Sequence, residues 1–192
     1  MSWPATRVAA VPLVALLACS LTACSPLDEI PVPQTSSEGP WACDGVARFN
    51  IERIVGNPNL PMQTGDWRTV KEHGFACNVD SPHGTVDITV TPFTAEEAPT
   101  KAAELTESWM ASGGEPIADP KGAPGQGYIF GEPGVQVTAG WVCTDRSLEV
   151  VLTDVFPDER RDQFDDAENM LLGVLGYACA MEQVPDLDYS AK

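Results

Sequence analysis

Val135-Gln136-Val137-Thr138-Ala139-Gly140-Trp141-Val142-Cys143, followed by Thr144-Asp145-Arg146-Ser147 and then Leu148-Glu149-Val150-Val151-Leu152-Thr153-Asp154-Val155-Phe156, is the stretch that decides the fold. Val135, Val137, Ala139, Trp141 and Cys143 fall at every second position, the period of a strand with one buried face. The polar tetrapeptide 144–147 reads as a turn into a second strand over 148–156. Upstream, residues 126–131 read as another strand, turned by Glu132-Pro133-Gly134. Strands joined by connections this short are antiparallel.

Working outward, residues 158–180 place Phe164, Ala167, Leu171, Val174 and Ala178 on one helical face, with Asp158, Glu159 and Asp162 in the first turns, where the helix dipole favours anions. On the other side, residues 115–127 are rich in Gly and Pro, with one short strand near 116–118. Thr94-Ala95-Glu96-Glu97 has capping-box spacing, and Ala98, Ala102, Leu105 and Trp109 follow at helical intervals to Gly113-Gly114. Pro99 fits the first turn of that helix. Residues 85–91 alternate cleanly and pair across the turn Ser81-Pro82-His83-Gly84 with an irregular strand over 67–80, broken at His73-Gly74. Residues 59–65 read as loop. Asp44 is placed to cap a first helix over 45–55, which Gly56-Asn57-Pro58 ends. The order α-β-β-α-β-β-β-β-α predicts an α+β fold, a two-layer arrangement of an antiparallel sheet packed by helices.

The N-terminus has the three parts of an export signal: Arg7, an apolar run over 8–21, and the small residue Ala23. Leu21-Thr22-Ala23-Cys24 resembles the lipobox of bacterial lipoproteins, which implies cleavage after residue 23 and lipidation of Cys24. Leu16-Leu17-Ala18-Cys19 is a competing site, and an ordinary signal peptide without lipid is a third reading. Residues 24–40 carry Pro26, Pro31, Pro33 and Pro40 among small polar residues and read as a lipid-anchored tether. Residues 41–183 make a single domain, and 184–192 a disordered tail. The expected location is the extracytoplasmic face of the cell membrane, with the lipid as the membrane contact.

Of six cysteines, Cys19 leaves with the signal and Cys24 takes lipid. Cys43, Cys77, Cys143 and Cys179 remain, and outside the cytoplasm they read as two disulfides. Three pairings are possible. Local symmetry favours Cys43–Cys77 with Cys143–Cys179, each tying a helix to a strand. A four-cysteine zinc site would normally need closer Cys pairs.

The lipobox, the Pro/Ser tether, the cysteine at the first helix, Phe75-Ala76-Cys77-Asn78 near the end of the next strand and the element order resemble a group of actinobacterial lipoproteins of unknown function. These in turn resemble the extracellular sensor domains of mycobacterial receptor kinases. The group usually has Cys-x-Trp at the strand cysteine, where this chain has Val79. The resemblance implies a binding or sensing module and carries over no catalytic residue.

The chain has a formal net charge of −17. Loss of Arg7, the single charged side chain of residues 1–23, takes the mature chain one unit further negative. Such acidity disfavours nucleic acid and anionic lipid surfaces. No Gly-x-Ser-x-Gly elbow, phosphate loop or His-Glu-x-x-His appears, and neither His73 nor His83 stands in a catalytic pattern. The acidic residues 162–168 fit a solvated helix face with neighbouring arginines. No metal, cofactor or catalytic residue is therefore assigned. Trp67 and Trp109 are the candidate ligand-binding residues, and any pocket is expected between the sheet and the Trp109 helix, with loop 119–127 as one rim. The expectation is a non-enzymatic module binding a small ligand or an envelope protein. A cell-wall hydrolase and a structural accessory of a membrane complex are the alternatives.

Overall fold

The computed structural model describes residues 40–56, 58–118, 122–155 and 161–179. The signal, Cys24, most of the tether, Asp158, Glu159 and the tail 184–192 lie outside them. The fold is α+β: four helices, a seven-stranded antiparallel sheet and a two-stranded sheet, stapled by two disulfides.

The chain opens with a hairpin, β1 (Trp41–Cys43) and β2 (Val46–Ala47), whose turn is Asp44-Gly45. Gly45 has φ 71°, a left-handed conformation that glycine adopts without penalty. Asp44 is therefore a turn residue and not the cap of the first helix, which correspondingly starts later: α1 is Arg48–Val55. The Asp44 carboxylate instead accepts from Gln63 Nε2 at 2.8 Å, and its amide donates to Gln63 Oε1 at 2.9 Å.

Gln63 lies in β3 (Met62–Gly65), an edge strand within the segment expected to be loop. The expected irregular strand over 67–80 is also divided. Trp67–Thr69 is a 3₁₀ turn, with the Asp66 side chain accepting from the Arg68 amide, and α2 (Val70–His73) continues it before Gly74. Only β4 (Phe75–Ser81) is extended, and it pairs with β5 (Gly84–Pro92) across Pro82-His83.

Then come α3 (Ala98–Ala111), β6 (Glu115–Ile117), β7 (Gln126–Glu132), β8 (Gln136–Val142), β9 (Arg146–Thr153) and α4 (Gln163–Ala178). Pro99 sits in the first turn of α3, as its missing N–H allows. The Thr94 hydroxyl donates to Glu97 at 2.7 Å; that bond, and then the backbone of Thr94, hold the Glu97 carboxyl below its ordinary range. Asp162 caps α4 by accepting from the amides of Phe164 and Asp165.

Sheet order is β3-β4-β5-β9-β8-β7-β6. The two halves of the chain meet where β5 pairs with β9, from Thr85↔Thr153 to Pro92↔Arg146. Alternation then gives the sheet two unlike faces. Phe75, Cys77, Ile88, Val90, Val137, Ala139, Trp141, Leu148, Val150 and Leu152 share one face and pack with Ile51 of α1 and Leu171 and Leu175 of α4 in a single apolar core. Cys43–Cys77 and Cys143–Cys179 tie the outer elements to this side.

Helix α3 lies on the opposite face. Gly140 points that way, and a Cβ added there would come within 2.6 Å of the Trp109 indole. No side chain of α3 belongs to the main core cluster.

Candidate functional site

The site is built from α3 upward. Ala98, Ala102, Thr106 and Met110 repeat every four residues and so form one stripe along the helix. The same helix is seated on the sheet chiefly through Trp109, 4% exposed, flat against Gly140. Gln126 Nε2 donates to Thr106 Oγ1 at 3.0 Å and ties the helix to the start of β7. Between the stripe and the ends of β7 and β8 a cleft of about 610 Å³ remains open. Its far wall is Val142, Cys143 and Thr144, with Gly125 and Gln126 beside them.

That wall is rigid for covalent and electrostatic reasons. Cys143 is bonded to Cys179 at the end of α4. Two residues beyond Thr144, Arg146 is buried. Its guanidinium is held in a fork by Asp145 at 2.7 and 2.9 Å and donates to the Ala178 carbonyl at 3.3 Å. The last turn of α4 carries no basic residue of its own, so Arg146 supplies positive charge at that helix end from the neighbouring strand. Arg161 and Asp166, both largely buried, pair near the other end of α4.

The cleft lining is mostly apolar, and Glu107 is its single charged side chain among the described residues. The other notable carboxyl, Glu149, lies outside the cleft on the α3 face of β9, opposite Thr89 and Gly140. Burial pushes its pKa above the ordinary value.

The two tryptophans proposed as ligand contacts take other places. Trp67 is 3% exposed, stacks on Phe75 with centroids 3.9 Å apart and donates to the Asp44 carbonyl. It is filled into the core because the 3₁₀ turn points it inward. Trp109 is the seat of α3, and neither indole borders the cleft. Residues that do border it, Ala102, Thr106 and Val142, carried no chemical signal in the sequence. The signal that existed was the small-residue repeat Ala98, Ala102 and Thr106 along the helix.

His73 is exposed, with Glu72 its nearest acid at 3.9 Å, and His83 is exposed in the β4–β5 turn. Among the described residues no group of three His, Cys, Asp or Glu side chains is arranged to hold a metal ion, and no helix is long and apolar enough to cross a membrane. All four domain cysteines are in disulfides, in the favoured pairing Cys43–Cys77 and Cys143–Cys179, but Cys43 lies in β1, so the first bond joins two strands and only the second ties a helix to a strand. No protein-family model, no curated protein and no solved structure matches this chain.

Proposed function

We propose that the chain is an extracytoplasmic, lipid-anchored binding module without catalytic activity, and that the α3 cleft holds its ligand. The observation that carries this reading is the cleft: a preformed, largely apolar hollow whose far wall is fixed by a disulfide. Small-molecule sites have this make-up of apolar walls and a few polar groups. The lipobox at Cys24 and the resemblance to receptor-kinase sensor domains favour the same role at the outer face of the membrane. The ligand class this lining suits is a small apolar molecule.

A hydrolase working on envelope polymers would place two carboxylates across a cleft. Among the described residues the cleft has Glu107 alone, and the partly buried carboxyl of Glu149 lies outside it. That favours binding over hydrolysis.

Native mass spectrometry of the secreted domain, made as Cys24→Ser, tests the reading. A mass released on denaturation, and lost when Ala102→Trp fills the cleft, is the expected result. Turnover of an envelope polymer by the purified domain would overturn it.

A further inference from the structure

We propose that the α3 cleft takes one unbranched aliphatic chain whose polar head is uncharged or cationic, and discriminates against the same chain with an anionic head. This rests on the reading of the cleft as a ligand site and adds the chemistry of the ligand.

Shape comes first. From Ala98 to Met110 the stripe runs twelve helical steps, or about 18 Å at 1.5 Å per residue. Its side chains are small until Met110, which stands half exposed at one end. An open groove bordered on the helix side by Ala98, Ala102, Ala103 and Met110 suits a chain.

Hydrogen bonding comes second. The Thr106 hydroxyl and the Gln126 amide, the polar groups midway along the cleft, already bond each other at 3.0 Å. A peptide would need a partner for each amide it buried there, at about 1–3 kcal/mol for each left unpaired, and among the described lining side chains only Thr106, Gln126, Thr144 and Glu107 could serve. An aliphatic chain brings no such groups.

Charge decides the head. Glu107 is the one charged lining residue among those described. The one cation of α3, Lys101, is paired with Glu104 at 3.2 Å, and Arg146 behind the far wall is held by Asp145. No described lining residue offers a positive charge to an anion, and the whole chain carries −17. A carboxylate, sulfate or phosphate head would meet like charge; a sugar, hydroxyl or ammonium head would not.

The test titrates the secreted Cys24→Ser domain with dodecyl maltoside, dodecyltrimethylammonium and dodecanoate, each below its micelle concentration. The maltoside and the ammonium compound are expected to bind, with dodecanoate at least about tenfold weaker. Across octyl, decyl and dodecyl maltosides, affinity should rise about fourfold per methylene. Glu107→Gln should narrow the gap between dodecanoate and the maltoside. Ala102→Trp should abolish binding with both disulfides and the circular dichroism intact.

Dodecanoate binding as tightly as the maltoside, or a gap indifferent to Glu107→Gln, would overturn the head preference and leave the ligand site standing. Binding that survives Ala102→Trp would move the site elsewhere and remove both. Failure of all three amphiphiles to bind would remove both as well.

Discussion

The two faces of the seven-stranded sheet are built to different ends. One packs α1 and α4 into a continuous core whose members Val79, Ile88, Ala139, Leu148, Val150 and Leu171 are fully buried. Both disulfides are anchored there. The other face receives one helix, α3, of whose fourteen residues only Ala98, Thr106 and Trp109 are buried. A void stays open beside it. The difference teaches that stability and the candidate function lie mainly on opposite faces of the sheet and meet at Cys143, which lines the cleft and is bonded to the end of α4. One side closes the domain, and the other is under-packed where a ligand would supply the missing contacts.

The largest effect expected from this contrast is on the core side. Replacing Cys143 and Cys179 together by Ala removes a cross-link of sequence separation 36. Denaturant unfolding should show a loss of about 3–4 kcal/mol in the chain-entropy picture. A loss below about 1 kcal/mol would mean that the Arg146 contacts hold the end of α4 without it.

Next come two large-to-small changes that set the faces against each other. Leu171→Ala, in the core, should cost about 3 kcal/mol and speed amide exchange throughout the sheet. Trp109→Ala removes a comparably buried side chain, but outside the main cluster. Its effect on exchange should concentrate in α3, with α4 and β9 close to wild type. Uniform acceleration in Trp109→Ala would show that α3 is part of the core after all.

Gly140→Ala is a subtler probe of the same seat. The new methyl would meet the Trp109 ring at 2.6 Å, so α3 must shift. We expect a loss of about 1–3 kcal/mol, as for other overpacked sites, and a changed near-ultraviolet tryptophan signal. An unchanged signal would place the indole elsewhere.

The smallest effect is a pH dependence. Glu149 has a raised pKa because burial disfavours its charged form. A raised folded-state pKa means that its favourable contribution is full below the unfolded value, near 4.5, and is lost as pH rises through the folded value. Glu149→Gln should therefore raise the melting temperature at neutral pH, by a few degrees at most, with the gain disappearing on acidification. A gain that grew toward low pH would contradict the sign.

How much of this was legible in the sequence depended on whether local pattern and tertiary packing agreed. In β5 the alternation is strict, and β8 and β9 keep an apolar residue at every second position where one face meets the core, so their extent was readable to within a few residues. Of the three possible disulfide pairings, the one that local symmetry favoured is formed, each bond joining elements of one half of the chain. Elements whose partners are remote were missed. Met62-Gln63-Thr64-Gly65 has no strand pattern, and it is extended only because β4 pairs with it and Asp44 captures Gln63. Asp44 has the chemistry of a helix cap and of a turn residue alike, and with Gly45 after it the hairpin turn is what forms. At the site, the aromatic residues Trp67 and Trp109 are buried packing residues and do not line the cleft. The cleft is set by the small residues of α3 and by which face of the sheet that helix chose. No periodicity reports that choice. It is made by Gly140, whose missing side chain admits Trp109.

The most direct test of the account is an amide chemical-shift map of the secreted domain titrated with dodecyl maltoside. The account predicts saturable shifts along Ala98–Ala111, at Gly125 and Gln126 and at Val142 to Thr144, with α1 and α4 unmoved. Shifts centred on α1 and α4, or none at any concentration below micelle formation, would contradict it.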